Sequence, residues 1–404
     1  MAVSKLTNVD DALSLILSRA APISRSEEVD LASSLKRVLA ENQYVPADVP
    51  PSDNSAVDGY AVRHMDGRPG TYLPVSVRIP AGMAPKVLQP GTSARIFTGS
   101  EIPEGADAVV MQENVRRSGD EILIQASVAA GQNIRKRGQD LTQGDLALVK
   151  GTILRPQEMG LLASMGIQRI RVQSKLRVAI LTTGDELVDP GQPLAPGQIY
   201  NTNRFTLLGL LTEAGCEVTL CETLEDTRGA TRKALERAVA GADLIITSGG
   251  VSVGEEDHVR AVLEETGSLS LWRLAIKPGK PLAFGELAGT PVIGLPGNPA
   301  AVLVTFMVVA MPFIRKSQGR THILPVGERI RAEFAATDVS VRREFVRARK
   351  ETSGTDVRVV MFPNQSSGVL SSTCWASGLA VVPENLRVAR GDLVTFYSFT
   401  ELLS

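Results

Sequence analysis

Cysteine and histidine are both scarce, three of each in 404 residues. Cys216, Cys221 and Cys374 form no C-x-x-C pair, and His64, His258 and His322 lie far apart in sequence, which argues against a zinc knuckle and a disulfide framework. Any metal in this chain takes mostly oxygen ligands. Aromatic residues reach only 4%, so base-stacking platforms are disfavoured. Net charge is also missing: 43 Lys and Arg against 44 Asp and Glu leave −1, and no bulk field recommends nucleic acid or an anionic membrane. Asp10 and Asp11 interrupt the place of a secretory apolar region, so the expectation is a cytoplasmic protein. The longest apolar run, Ala300 to Ile314, contains Thr305 and Pro312 and falls short of the ~20 residues that span a bilayer. It reads as a buried core helix, with no membrane partner and no nucleic acid.

What is present is an ordinary globular composition, 43% hydrophobic and 22% charged, long enough for several domains. Val9, Ala12, Leu13, Ile16, Leu17 and Ala20 follow helical spacing behind Thr7 and Asn8 as caps. Leu31, Leu35, Val38 and Leu39 repeat that spacing and predict a second helix, and Glu158 to Met165 a third, the three sharing one layer. From Val45 to Leu148 short β-favouring runs alternate with Pro and Gly, which predicts an irregular all-β insertion. From Leu176 the texture becomes strand, helix, strand, helix: Leu176 to Leu181, Asn203 to Ala214, Glu217 to Leu220, Thr231 to Ala240, Asp243 to Thr247, Asp257 to Glu265, Pro291 to Leu295, then the apolar helix. That is a doubly wound, mostly parallel α/β domain. After Pro325 short strands return, with a hairpin turn over Ser353 to Asp356. The resulting division is a helical and extended N-terminal layer (1–44 with 149–175), the β insertion (45–148), the α/β domain (176–325) and a small C-terminal β domain (326–404).

Three loops follow predicted parallel strands: Thr182 to Glu186, Ser248 to Gly254, and Pro296 to Pro299. In an open parallel sheet such loops converge on one crevice, where glycines admit close approach and helix N-termini bind phosphate. Ser248, Gly249, Gly250, Ser252, Pro296, Gly297 and Asn298 are therefore candidate binding residues for a phosphate-bearing ligand. Gly250 to Gly254 also matches the G-x-S-x-G elbow of serine hydrolases, but His258 is too close and His322 falls in a linker, so Ser252 reads as a phosphate-loop serine. Lys277 and Lys280 flank a rigid Pro-Gly turn, where ammonium groups hold oxyanions. No Walker A pattern occurs. The acids beside these turns, Asp185, Glu186, Asp226, Glu255, Glu256 and Asp257, with Asp58 and Asp140 in the insertion, suit Mg²⁺ bridging phosphate oxygens.

The segments Asp53 to Ala61, Phe97-Thr98-Gly99, Pro103 to Val110, Thr183 to Leu187, Ser248 to Gly254, Lys277 to Pro281 and Leu295 to Pro299 resemble the molybdopterin molybdenumtransferase family, of the MoeA and gephyrin C-terminal type. Their order and the chain length agree with that family throughout. The resemblance implies an elongated homodimer of four-domain subunits, in which the second domain of one subunit faces the α/β domain of the other. It implies conversion of adenylylated molybdopterin and molybdate to molybdenum cofactor and AMP, with Mg²⁺ acting on the phosphoanhydride. By motif, it places Asp58, Thr98 and Asp140 on one side of the pocket and Glu186, Asp226 and Asp257 on the other, with Glu186 and Asp257 as metal ligands. Lys277 and Lys280 resemble the family's oxyanion anchors, Lys277 being also a catalytic candidate, and Ser371 or Ser372 resembles a serine reaching in from the last domain. Arg273 departs from the family's usual lysine. Contact with a molybdopterin adenylyltransferase and with molybdoenzyme chaperones is also implied. Competing readings are a nucleotide-pyrophosphate hydrolase, an adenylyltransferase built on the same α/β domain, and a gephyrin-like scaffold.

Overall fold

A computed structural model describes residues 6–251, 258–354 and 356–404. Helix Val9–Arg19 forms as its spacing predicts, capped by the Asn8 side chain, which accepts from the Asp10 N–H. Its buried face, Val9, Ala12 and Ile16, packs into the large core of the α/β unit with Phe313 and Ile314. Helix Pro156–Ser164 packs elsewhere, with Leu39, Leu154, Ile170 and Val172. The expected common helical layer is thus divided between two cores.

The second expected helix does not form. Leu31–Ser33 is a single 3₁₀ turn, Leu35 is half exposed, and Val38 and Leu39 make antiparallel bridges to Ile153 and Val172. β-Partners more than a hundred residues away supply the hydrogen bonds, and they outweigh a local helical pattern in which Val38 is β-branched. Alongside, strand Ser26–Asp30 pairs antiparallel with Arg169–Gln173.

The insertion is a six-stranded sheet ordered Ala108–Met111, Gly59–Val62, Ser93–Ile96, Tyr72–Ile79, Glu121–Ile124, Val115–Ser118. Side-chain alternation divides its apolar residues between two small cores. Tyr60, Val62, Ala108 and Val110 belong to one, Ala61 and Val109 to the other.

The α/β sheet runs Glu217–Leu224, Arg177–Thr183, Leu244–Ser248, Thr290–Leu295, Ala283–Leu287, Ser268–Trp272. The first four strands are parallel, and the last two add an antiparallel edge that the sequence pattern does not reveal. The chain leaves Arg177–Thr183 toward one side and returns to the other, so the strand order reverses there. That reversal opens a crevice at the carboxyl ends of Arg177–Thr183 and Leu244–Ser248. The apolar helix continues from Pro299 to Ser317, and 89% of its most apolar stretch is buried inside the protein. It widens into a π-helical turn over Phe306–Ala310, just before Pro312, which has no N–H to offer the Val308 carbonyl.

In the last unit, Arg343–Ser353 pairs with both Asp356–Met361 and Gly378–Val382, and Glu328–Ala332 and Leu393–Ser398 complete a barrel-like ring. The expected hairpin forms, Ser353 facing Asp356. Of its turn residues, Thr355 lies outside the described residues. A short strand of the α/β unit, Ile276–Lys277, adds in parallel to the start of Arg343–Ser353. This annexed strand joins the barrel to the crevice.

Candidate active site

The crevice is a cleft of about 750 Å³. Its first wall is the Thr183–Glu186 turn. Gly184 has φ +147°, and a Cβ there would stand 2.6 Å from Glu186 Oε2, so the bare glycine lets that carboxylate fold back over the strand end. Asp185 Oδ1 accepts from the Asp226 N–H at 2.9 Å, which brings the Asp226 turn beside Glu186. Two cleft carboxylates, Glu186 and Asp226, thus share one wall.

The second wall is the Ser248-Gly249-Gly250 turn. Gly249 has φ +88°, and a Cβ there would lie 2.5 Å from the Thr183 carbonyl oxygen. The two strand ends meet as closely as bare backbone allows. Ser248 is 2% exposed. Its hydroxyl donates to the Pro296 carbonyl at 3.0 Å and accepts from Asn203 Nδ2 at 3.0 Å, so it ties loops together. Asn203 Nδ2 also donates to the Gly297 carbonyl at 2.7 Å. Asn201 caps the same helix through the Arg204 N–H and donates to Thr182 and Thr223 hydroxyls. These two asparagines position all three loops. Asn201 had a sequence signal, its cap position before an apolar-periodic helix, whereas Asn203 sits inside the first turn and had none.

The third wall is basic. Lys277, Lys280 and Arg342 line it, and Lys277 Nζ lies 3.0 Å from Glu344 Oε1. The last unit also contributes Gln365, Ser366 and Ser367. Asn298 Nδ2 donates to Ser367 Oγ at 2.9 Å, and the Ser367 carbonyl accepts from the Ala300 N–H, an otherwise orphan donor at a helix start. The fully buried Arg347 holds this segment from behind, donating to Ser372 Oγ and the Ser366 carbonyl. Burial lowers its guanidinium to about 10.

Of the residues singled out in the sequence, Glu186, Asp226, Ser248, Gly249, Gly250, Lys277, Lys280, Pro296, Gly297 and Asn298 line the cleft. Ser371 does not: it is exposed at the start of helix Ser371–Trp375, while Ser372 is buried under Arg347. The chain turns at Gly368 before it reaches them, so Ser366 and Ser367 occupy the place expected of Ser371. Ser252 and Asp257 lie outside the described residues. Arg273 is half-buried at φ +73° and is not among the lining residues. Arg342, Asn201, Asn203 and Gln365 were missed, because each reaches the cleft through a tertiary contact rather than a loop motif.

Asp58, Thr98 and Asp140 are also absent from this cleft and sit in the insertion. Asp58 Oδ1 accepts from both the N–H and the hydroxyl of Thr98, each at 2.8 Å. The Thr98 backbone N–H, then its hydroxyl, holds the Asp58 carboxyl below the usual carboxylate range. Asp140 is exposed, on a loop that Asp53 fastens through Lys136 Nζ at 2.7 Å and the Arg137 N–H at 2.9 Å.

Residues 7–166 match the model of the MoeA N-terminal region (domain I and II), 179–316 that of a probable molybdopterin binding domain, and 329–399 that of the MoeA C-terminal region (domain IV). A molybdopterin molybdenumtransferase of Haemophilus influenzae is 39% identical over 98% of this chain and 100% of its own. Molybdopterin molybdenumtransferase 2 of Mycobacterium tuberculosis is 36% identical over 92% of this chain and 95% of its own. The crystal structure of the molybdopterin biosynthesis MoeA protein of Pyrococcus horikoshii, 31% identical, superposes with a TM-score of 0.83 and covers 98% of this chain and 100% of that one. With three family models in order and full-length relatives above 30% identity, the chain belongs to the MoeA family of molybdopterin molybdenumtransferases, enzymes of molybdenum cofactor biosynthesis.

Proposed function

We propose that this chain transfers molybdenum from molybdate to adenylylated molybdopterin and releases AMP with the help of Mg²⁺. The observation that carries this reading is that one cleft is lined both by carboxylates, Glu186 and Asp226, and by cations, Lys277, Lys280 and Arg342. Among the described residues no group of three or more His, Cys, Asp or Glu could cage a metal ion. Two carboxylates fit Mg²⁺, which usually takes one or two from the protein and the rest from phosphate oxygens and water. Bound there, Mg²⁺ would polarise the phosphoanhydride. The bare backbone of Gly249 and Gly250 admits the diphosphate closely, and Lys280 and Lys277, in the same cleft, hold oxyanion charge.

Asp58, Thr98 and Asp140 act, in this reading, in the cleft of a second copy of the chain in a homodimer. Their placement outside this chain's own cleft supports that arrangement. Three free cysteines and no disulfide among the described residues suit a reducing cytoplasm.

The test is AMP release from adenylylated molybdopterin with Mg²⁺, with and without molybdate. Molybdate-dependent release together with metal-loaded cofactor is expected. Release indifferent to molybdate would make the protein a pyrophosphatase, and no release would leave a scaffold.

A further inference from the structure

The insertion carries a clamp of side chains outside the cleft. On strand Ser93–Ile96, Arg95 lies in register with Tyr60 of Gly59–Val62 on one side and Arg78 of Tyr72–Ile79 on the other. Its guanidinium carbon stands over two rings, 5.0 Å from the centre of Tyr60 and 4.8 Å from that of Phe97. The same guanidinium donates to the Gly59 carbonyl at 3.1 Å and to Gln112 Oε1 at 2.7 Å. No carboxylate among the described residues pairs with it, so ion pairing does not explain its place.

Three of these contacts flank one carboxylate. Gly59 follows Asp58, Phe97 precedes Thr98, and the Gln112 N–H donates to the Asp58 carbonyl at 3.1 Å. Asp58 Oδ1 accepts both Thr98 hydrogen bonds, whereas Oδ2 has no hydrogen bond among the described residues. The carboxylate is thus fixed by one oxygen and offers the other. Thr98 and Gly99 are exposed, so no core holds this turn in place. Arg95 supplies what the core does not: a planar fork with fixed donor directions, set over two rings, ties the Asp58, Thr98 and Gln112 segments to one another.

We infer that Arg95 is a positioning residue for the Asp58–Thr98 pair, holding the flanks of both residues so that Asp58 Oδ2 is presented to the substrate from a fixed place. This rests on the proposed function for the service of Asp58 in a cleft; the clamp itself stands on geometry alone. Arg95 touches no substrate and acts through Gly59, Phe97 and Gln112. After the Thr98 N–H and hydroxyl, the Arg95 charge also lowers the Asp58 carboxyl and so helps to keep it ionised.

The experiment is hydrogen exchange of the full chain at the Thr98 amide, resolved by mass spectrometry with fragmentation, together with kcat and KM for AMP release. The variants are Arg95→Gln, Arg95→Lys and Arg78→Gln. The last removes an exposed cation that stands 4.7 Å from the centre of the same Phe97 ring but bonds neither Gly59 nor Gln112. In Arg95→Gln the Thr98 amide is expected to exchange about tenfold faster or more, with the amides of Ala108–Met111 unchanged. Its kcat is expected to fall about tenfold or more at unchanged KM, as a misplaced catalytic group requires. Arg95→Lys keeps the charge but not the fork and is expected to recover only part of either, and Arg78→Gln to stay within about twofold of wild type. Wild-type exchange at Thr98 in Arg95→Gln, an equal rise across Ala108–Met111, full recovery in Arg95→Lys or an undiminished kcat would overturn the inference. A wild-type chain that releases no AMP would sink the transfer reading, and Thr98 exchange alone would then decide whether Arg95 holds the pair.

Discussion

Asn203 Nδ2 lies 3.0 Å from Ser248 Oγ, and both side chains are more than nine-tenths buried. The same amide nitrogen reaches the Gly297 carbonyl at 2.7 Å, so one side chain on a helix fixes the loops of two neighbouring strands. Removing it leaves a buried carbonyl without its donor, a loss of about 1–3 kcal/mol. Asn203→Ala is therefore expected to lower the urea midpoint at unchanged m-value, and turnover with it. Asn203→Asp, which sets a carboxylate against the Gly297 carbonyl, is expected to be worse. Should the aspartate variant prove more stable than the alanine one, the amide is not the clip described.

Gly249 and Gly297 line the same cleft under opposite constraints. At φ +88°, a methyl on Gly249 meets the Thr183 carbonyl at 2.5 Å, whereas one on Gly297 meets nothing within 4 Å and the backbone there is not left-handed. The left-handed conformation alone costs a non-glycine residue about 1–2 kcal/mol, before the clash is counted. Gly249→Ala is expected to lower the melting temperature and Gly297→Ala to leave it within about 1 °C, given that each kcal/mol shifts domains of this size by a few degrees. Equal melting temperatures would show that the strand ends can separate freely.

Acid sensitivity should centre on the joints between units. Burial pushes Asp243 up, but hydrogen bonds from the Arg25 and Arg177 guanidinium groups outweigh it and hold the carboxyl at about 2, against an ordinary 3.8. Hydrogen bonds from Arg343 likewise hold Glu384 at about 2, against 4.5, in spite of desolvation. Carboxyls depressed in the folded state contribute fully above their unfolded values and lose that contribution as pH falls toward the folded ones. Stability is expected to be flat above pH 4.5 and to fall between there and pH 2. Melting followed across that range should show a shallower fall in Asp243→Asn, and an unaltered slope would remove Asp243 from the account.

The parallel core was legible because its signals are local. Near-continuous apolar strands such as Leu244–Ser248 and glycine-ended helices read directly from residue order, and the loops after three strands had to converge. What escaped was set by partners distant in sequence. Leu31 to Leu39 carries helical spacing, yet Val38 and Leu39 are claimed by Ile153 and Val172. Arg342 gave no motif, because it enters the cleft only where Arg343–Ser353 pairs with Ile276–Lys277. The serine of the last unit was misplaced by a few positions for a similar reason: contact with Asn298 and Ala300, rather than the run of serines, selects Ser367.

Asp58, held by Thr98, allows the shared-site arrangement to be tested without a structure of the dimer. If Asp58 serves the partner's cleft while Glu186 serves its own, Asp58→Asn and Glu186→Gln each inactivate both sites of their own homodimer. A mixed dimer then carries one site with both defects and one with neither. Random exchange of equal amounts makes half the dimers mixed, and half of their sites intact, so activity should return to about a quarter of wild type. Thr98 holds Asp58 with two hydrogen bonds at 2.8 Å, so Asp58→Asn retains one acceptor oxygen and a fold suited to the exchange. Subunit exchange is verified by native mass spectrometry, and AMP release is then measured. Exchange without recovery would place both carboxylates in one subunit's cleft, and the homodimeric site would have to be abandoned.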